Sequence, residues 1–146
     1  MRTLPQKIIR FVTEMETLFS QNAIADFDAK SSDTSWSKKE ILGHLVDSAL
    51  NNLQRFTEIH YSATPYQLRP YNPDVLVATN QYQHKKRVEL VQLWAQLNKQ
   101  IALVIENLPE SSLVFQIRLP NEEISDLEFL VRDYVEHLEH HLNQIK

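Results

Sequence analysis

Three histidines lie close together near the C-terminal end of the chain, in the segment DYVEHLEHHLNQ at residues 133 to 144. His137 and His141 are four residues apart, so on a helix their rings project in parallel from successive turns. Two imidazoles placed in this way can chelate a divalent metal ion. His140 falls well round the predicted helix toward solvent, and we interpret it as a solvated surface residue. The pair is weak evidence by itself, and a metal site needs a third ligand from another helix.

A polar line in the run GHLVDSALNNLQRF offers candidates for that helix. His44, Ser48, Asn51 and Arg55 are spaced by four, three and four residues, which places them on one side of a helix. A solvated helix face usually collects lysine and glutamate, so this line favours the wall of a polar cavity in which Ser48 helps to bind a substrate, with an ordinary solvated face as the alternative. Asp47 follows His44 by three residues and could orient a ligand ring or accept a proton. A surface role for Asp47 is equally open.

Four predicted helices position these residues. Each is recognised by apolar residues that recur every three or four positions or by a capping-box pattern at its start. They cover Leu4 to Phe19, Ser37 to about His60, most of 74 to 107, and Ser125 to the end of the chain. The stretch LVFQIRL alternates in part and predicts a short extended segment that ends at Pro120. Four long helices predict an all-α fold, a four-helix bundle.

Composition narrows the classes of function. A length of 146 residues predicts a single domain, residues 1 to 146. One glycine is too few for a P-loop or a dinucleotide-binding loop. The 15 basic and 19 acidic residues are mixed along the chain, which argues against nucleic acid or a membrane as partner. The absence of cysteine excludes disulfides, thiol nucleophiles and cysteine-rich zinc sites, and together with the absence of a leader pattern it suggests a cytoplasmic protein.

Two segments taken together resemble a known family. The pairing of WSKKEILGHLVDS with HLEHHLNQI resembles the DinB superfamily of four-helix bundles, in which one histidine of the second helix and two of the last hold a metal. The stretches DSALNNLQRF and LRPYNPD are similar to its YfiT-like branch, described as metal-dependent hydrolases and as bacillithiol S-transferases. The likeness spans residues 36 to 145. It implies His44, His137 and His141 as metal ligands, and it implies a homodimer.

The chemistry expected of such a site depends on three neutral nitrogen ligands. Zinc or nickel is the expected ion, although nitrogen ligands suit iron and copper as well. Because the chain has no cysteine, a thiol nucleophile must arrive as a small substrate. Asn51, Arg55 and Arg69 are candidates to bind a carboxylated or sugar-bearing thiol, with surface arginines as the alternative for both arginines. Tyr71 is a further candidate for the cavity, and packed aromatic residues are the alternative use. Trp36 and Trp94 are predicted to lie in the core.

Three functions from different classes remain open at this point. The first, which the resemblance implies, is a metal-dependent transferase that joins a low-molecular-weight, bacillithiol-like thiol to an electrophile. The second is a hydrolase in which water activated on the metal attacks an amide or ester, with Asp47 as the base. The third is a non-catalytic, stress-linked binding module, since fold does not fix function. Neither the metal, the substrate nor the dimer interface can be read from the residues.

Overall fold

The computed structural model describes Met1 and residues 3 to 146, and it is a bundle of four long helices with a small sheet at one end. The helices are α1 (Leu4–Ser20), α2 (Lys38–Glu58), a short α3 (Pro73–Thr79), α4 (Arg87–Glu106) and α5 (Leu127–Ile145). Helix α2 packs against both α4 and α5, and α1 packs mainly against α4. The predicted all-α four-helix bundle is therefore confirmed, and α2 and α5 face each other along the bundle.

The start of α2 follows the predicted capping box. The hydroxyl of Ser37 accepts from the backbone N–H of Glu40 at 3.0 Å, and the Glu40 carboxylate accepts from the backbone N–H of Ser37 at 3.0 Å. The start of α5 differs from the prediction by one residue. Its cap is Asp126, whose carboxylate accepts from the backbone N–H of Phe129 at 2.9 Å. Ser125 lies one residue before the cap, in a strand and opposite Ile117.

The third predicted helix is divided into α3 and α4, so its prediction as one element over 74 to 107 is wrong in its first part. The break lies at Gln81, whose φ of 56° is in the left-handed region that a continuing helix does not allow. A single 3-10 turn follows at Tyr82–His84. Because of this break, Tyr82 turns inward and its side chain is buried against α2.

The small sheet has three strands: β1 (Tyr66–Gln67), β2 (Gln116–Arg118) and β3 (Ile124–Asp126). Strand β2 pairs in parallel with β1 and antiparallel with β3. The predicted extended segment in LVFQIRL is thus confirmed at β2. Its two partners, β1 and β3, are not predicted from the sequence. Ile117, at the centre of β2, is fully buried and fastens the sheet to the bundle core.

The core between the helices is mostly apolar, and it includes a buried polar pair, Tyr134 and Asn98. The largest fully buried side chains include Trp94, Phe56 and Tyr134. The Tyr134 hydroxyl is satisfied inside the core because it donates to the Asn98 side-chain oxygen at 2.6 Å. Among the described residues, no helix has both the length and the apolar character that a membrane span requires.

Candidate metal centre

Three histidine rings from two helices converge between α2 and α5. His44 comes from the first half of α2, and His137 and His141 come from successive turns of α5. One ring nitrogen from each lies within 4.8 Å of the other two. His44 is buried, with 4% of its surface exposed, and the other two rings are half-buried. The three histidines that the resemblance grouped are therefore brought together by the fold.

The spacing of the rings matches what one small cation requires. The Nε2 atoms of His44 and His137 lie 3.1 Å apart, a distance at which one ring donates to the other. Two imidazole nitrogens on a tetrahedral zinc, each at 2.0–2.1 Å from it, lie about 3.3 Å apart. The His137 and His141 ring centroids are separated by 4.5 Å, and those of His44 and His141 by 4.8 Å. Small ring rotations would be enough to bring the three nitrogens onto one ion.

Two of the three rings, those of His44 and His137, are held in the neutral form that a metal needs. Burial, together with repulsion from His137 and His141, lowers the pKa of His44 to about 4. Burial likewise lowers the pKa of His137 to about 4, with His141 and His140 adding to the effect. Both rings therefore keep a lone pair at neutral pH. A cluster of neutral imidazoles suits zinc, nickel, iron and copper alike.

The surroundings of the three rings differ. The His137 Nδ1 atom lies 3.4 Å from the Ser48 hydroxyl, and the His141 Nδ1 atom lies 2.8 Å from the Gln144 side-chain oxygen. The His44 Nδ1 atom is buried and has no hydrogen-bond partner in the described part of the chain. The ring of Trp36 lies against that of His44, with centroids 5.0 Å apart and a tilt of 32°.

Asp47 is buried in a network of its own, with 2% of its surface exposed. One carboxylate oxygen accepts from the Tyr82 hydroxyl at 2.6 Å and from the Asn80 side-chain nitrogen at 2.8 Å. Burial raises the pKa of Asp47, and the two hydrogen bonds oppose that rise. A Cβ at Gly43 would overlap the Tyr82 ring, so the single glycine is needed for Tyr82 to reach Asp47. Asp47 therefore holds α2 to the segment that carries Asn80 and Tyr82.

Two residues proposed for substrate binding contact the protein itself. Ser48 has 1% of its surface exposed, and its hydroxyl contacts the His137 ring. Asn51 is half-buried, and its side-chain nitrogen donates to the backbone carbonyl of Asp47 at 2.9 Å. The Ser48 hydroxyl is therefore enclosed by the protein, and the Asn51 side-chain nitrogen is used within α2.

The other three substrate-binding candidates are gathered beside the C-terminal half of α2. The Arg55 guanidinium donates to the Arg69 carbonyl at 2.7 Å and to the Asn52 side-chain oxygen at 3.4 Å. Its Cζ atom lies 5.5 Å from the centroid of the Tyr71 ring. Asp133, one turn before His137 on α5, contributes an attractive charge to Arg55. Arg55 is thereby fixed on the same α2 face as His44, whereas the Arg69 side chain is exposed.

A shallow surface groove leads to His141. Its volume is about 420 Å³, and it is lined by polar and aromatic residues together with one of the clustered histidines. They are Thr34, Ser35, Trp36, Ile41, Asp74, His141 and Gln144. Trp36 is half-buried there and packs against the core without lying inside it, so its prediction as a core residue holds only in part, whereas Trp94 is fully buried as predicted. The groove gives solvent and small molecules a route to His141.

Sequence reasoning missed several residues around the cluster. The prediction of Trp36 as a core residue does not place it beside a candidate ligand. Tyr82 lay in the least periodic part of the predicted third helix, and its contact with Gly43 depends on a break that the pattern does not show. Gln144 lies three residues after His141, a spacing at which helix side chains meet, so that signal was present in the sequence.

Comparison with known proteins places the chain in a family. Residues 12–145 match the DinB superfamily. The fold is also that of YfiT from Bacillus subtilis, described as "a probable metal-dependent hydrolase with an unusual four-helix bundle topology". The two structures superpose with a TM-score of 0.82 and 20% sequence identity, over 98% of this chain and 82% of YfiT. At this identity the likeness shows a shared fold. No curated protein is significantly similar to this chain in sequence.

Proposed function

This chain belongs to the DinB superfamily, and from that premise we propose that it is a metal-dependent enzyme whose divalent ion is held by His44, His137 and His141. The observation that carries the proposal is the convergence of the three imidazoles, with one nitrogen of each within 4.8 Å of the others. When bound, a divalent ion with three neutral nitrogen ligands and open positions supplies a Lewis acid that lowers the pKa of a water or thiol.

We propose that the reaction is transfer of a low-molecular-weight, bacillithiol-like thiol to an electrophile. The substrate sulfur forms the new bond, and the leaving group departs with its electron pair while the thiol proton passes to solvent. The chain has no cysteine, so the nucleophilic sulfur belongs to the substrate. This reaction needs no general base from the protein when the thiol is already ionised. A reaction without a protein base is compatible with a site in which Asp47 is buried and accepts hydrogen bonds from Tyr82 and Asn80.

The chain's own residues bind and orient the substrate in this proposal. Arg55 is half-buried and held by a backbone carbonyl, so its remaining donors face a substrate carboxylate with little loss of side-chain entropy. Tyr71 lies under the guanidinium and limits its movement. Trp36 covers the His44 ring and shields that side of the cluster from water. Arg69 extends the positive charge toward the exposed end of the same face.

Hydrolysis is the second candidate, and the support for it is the description of YfiT as a probable metal-dependent hydrolase. In that case the attacking group is water and the substrate an amide or ester. The proposal of Asp47 as its base is weakened because one carboxylate oxygen already accepts two hydrogen bonds. A non-catalytic binding module is the third candidate, and it would use the same three histidines to hold a structural ion.

Several further features belong to the same proposal: the ion rests on the three nitrogen ligands, the substrates and the assembly rest on the family resemblance, and the location rests on the absence of cysteine. They are zinc or nickel as the ion, a small thiol and an electrophile as substrates, a homodimeric assembly, and a cytoplasmic location.

The experiment that separates the candidates supplies an activated aryl chloride and, separately, an ester to zinc-loaded protein, with and without cysteine. If consumption of the aryl chloride depends on cysteine and is lost in His137→Ala, the result supports thiol transfer. Thiol-independent cleavage of the ester supports hydrolysis in its place. A zinc-loaded protein that turns over neither substrate contradicts both enzymatic proposals and leaves the binding module.

A further inference from the structure

We infer that Gln144 is a positioning residue for His141 and selects the ring tautomer that presents Nε2 to a metal. The Gln144 side-chain oxygen lies 2.8 Å from the His141 Nδ1 atom, a short and direct contact within the last turns of α5. The inference deepens the proposed function, because it rests on His141 as a ligand. Gln144 belongs to neither the polar line on α2 nor the histidine cluster itself.

The chemistry of the contact fixes where the imidazole proton lies. An amide oxygen only accepts hydrogen bonds, so the His141 Nδ1 atom must carry the hydrogen. In a neutral imidazole the other nitrogen, Nε2, then has the free lone pair. Histidines that bind metals generally donate their second N–H to an oxygen acceptor, which sets both the tautomer and the ring orientation. Gln144 supplies such an acceptor for His141.

His140 contacts the nitrogen end of the Gln144 amide. The amide nitrogen of Gln144 lies 3.3 Å from the His140 Nε2 atom. An amide nitrogen only donates, so in this arrangement His140 accepts at Nε2 while the Gln144 oxygen faces His141. The reversed amide would donate to His141 Nδ1 and would leave the hydrogen on Nε2, where it blocks a metal. His140, interpreted from the sequence as a solvated residue, thus supports the ligand through Gln144.

The other two clustered rings lack an equivalent partner. The Ser48 hydroxyl is 3.4 Å from the His137 Nδ1 atom, and a hydroxyl can either donate or accept there, so it does not choose a tautomer. His44 Nδ1 has no hydrogen-bond partner among the residues that the structure describes. Within this cluster, therefore, His141 is the ring whose tautomer an acceptor-only group selects.

The first test needs no metal. Long-range proton–nitrogen correlation spectra of metal-free protein, recorded at about pH 8, above the ordinary histidine pKa of about 6.5, report which nitrogen of each ring is protonated. We expect hydrogen on Nδ1 of His141 in the wild type, and a shift toward the Nε2–H form in Gln144→Met. A wild-type His141 that already carries its hydrogen on Nε2 overturns the inference.

The second test measures zinc affinity by competition with a chelator. Gln144→Met keeps length and helix propensity but removes the acceptor, and we expect about tenfold weaker binding, as for other groups that orient metal ligands. Gln144→Glu restores an acceptor and should bind at least as tightly as the wild type. The matched control is Gln96→Met, the same change at an exposed position of α4, which should leave affinity unchanged.

The outcomes of the two tests are separable. Equal zinc affinity of Gln144→Met and wild type overturns the inference while leaving the metal site in place. A wild type that binds no zinc, nickel or other divalent ion refutes the proposed function, and the tautomer measurement on metal-free protein then still decides whether Gln144 orients His141. An affinity loss that Gln144→Glu fails to restore also counts against the inference, because it indicates a loss of packing instead of a lost acceptor.

Discussion

The Tyr82 hydroxyl donates a 2.6 Å hydrogen bond to the Asp47 carboxylate, one turn along α2 from His44. Both side chains are buried, and the Tyr82 ring lies where a Cβ at position 43 would be. This hydrogen bond and the packing of the Tyr82 ring hold the segment between α3 and α4 against the part of α2 that carries His44. Glycine in the middle of this helix costs about 1 kcal/mol, and close packing of the Tyr82 ring offsets that cost.

The contact between Gly43 and Tyr82 predicts opposite effects of one substitution in two backgrounds. Gly43→Ala alone should lower the free energy of unfolding by about 1–3 kcal/mol, because the new methyl group overpacks the Tyr82 ring. In a Tyr82→Ala background the same change should stabilise by up to about 1 kcal/mol through better helix propensity. Urea denaturation of the four proteins gives both values. Equal effects in the two backgrounds would mean that the ring does not occupy this space.

The hydrogen bond itself is tested by Tyr82→Phe. Removal of the hydroxyl leaves Asp47 with the Asn80 donor alone on that oxygen, and we expect a loss of about 1.5–3 kcal/mol in unfolding free energy, the range for bonds to charged groups. The zinc content of the purified protein should stay as in the wild type, since Tyr82 is not a ligand. Thermal or urea unfolding with parallel metal analysis measures both quantities. A variant of unchanged stability would remove Asp47 from the structural role assigned to it.

Metal-free protein should lose stability as the pH falls from about 6.5 to about 4. The pKa of His44 and of His137 is about 4 in the folded chain, against about 6.5 for an ordinary histidine. Over this range the unfolded chain binds more protons than the folded chain, so unfolding becomes easier as the pH falls. Each tenfold difference in proton affinity is worth about 1.4 kcal/mol at most.

The control for this pH dependence is a chain that lacks both titrating rings. A His44→Gln/His137→Gln protein keeps the carboxylates that titrate near the same range but not the two imidazoles. Its unfolding free energy, measured by urea denaturation at each pH, should fall less steeply than that of the wild type between pH 6.5 and about 4. Identical slopes would show that the two rings are not protected from protonation in the folded state.

Arg55 is expected to affect substrate binding more than metal binding. Arg55→Lys keeps the charge but loses the planar set of donors that reaches both the Arg69 carbonyl and the Asn52 oxygen. We expect a rise of about tenfold in KM for a carboxylated thiol, equivalent to about 1.4 kcal/mol, with zinc affinity unchanged. Arg132→Lys, on the exposed side of α5, is the matched control. An unchanged KM in Arg55→Lys would exclude Arg55 from thiol recognition.

Local sequence patterns predict most of the helices. The features that they do not predict depend on contacts between residues distant in the chain. The capping box at Ser37 and the apolar periodicity of α2 and α5 are encoded within a few residues, so they were predictable. The break at Gln81 was not, because the burial of Tyr82 against Gly43 is a tertiary interaction that overrides helix periodicity. The same holds for Asp47, whose partners are 33 and 35 residues away in the chain.

For the histidine cluster, spacing alone predicted only the pair on α5. His137 and His141 share a face of one helix by local geometry. The addition of His44 required knowledge of how α2 packs on α5, which the family resemblance supplied and the fold now displays at 3.1 Å between His44 and His137. The orientation of each ring depends on single hydrogen bonds, such as that between His141 and Gln144, and periodicity carries no information about those.

The central claim is that His44, His137 and His141 hold one divalent ion, and metal analysis of purified protein tests it most directly. We predict about one zinc or nickel ion per chain, and a loss of bound metal in His137→Ala. In His84→Ala, which removes an exposed histidine outside the cluster, metal content should be that of the wild type. Stoichiometric metal in His137→Ala, with folding confirmed by circular dichroism, would contradict the claim.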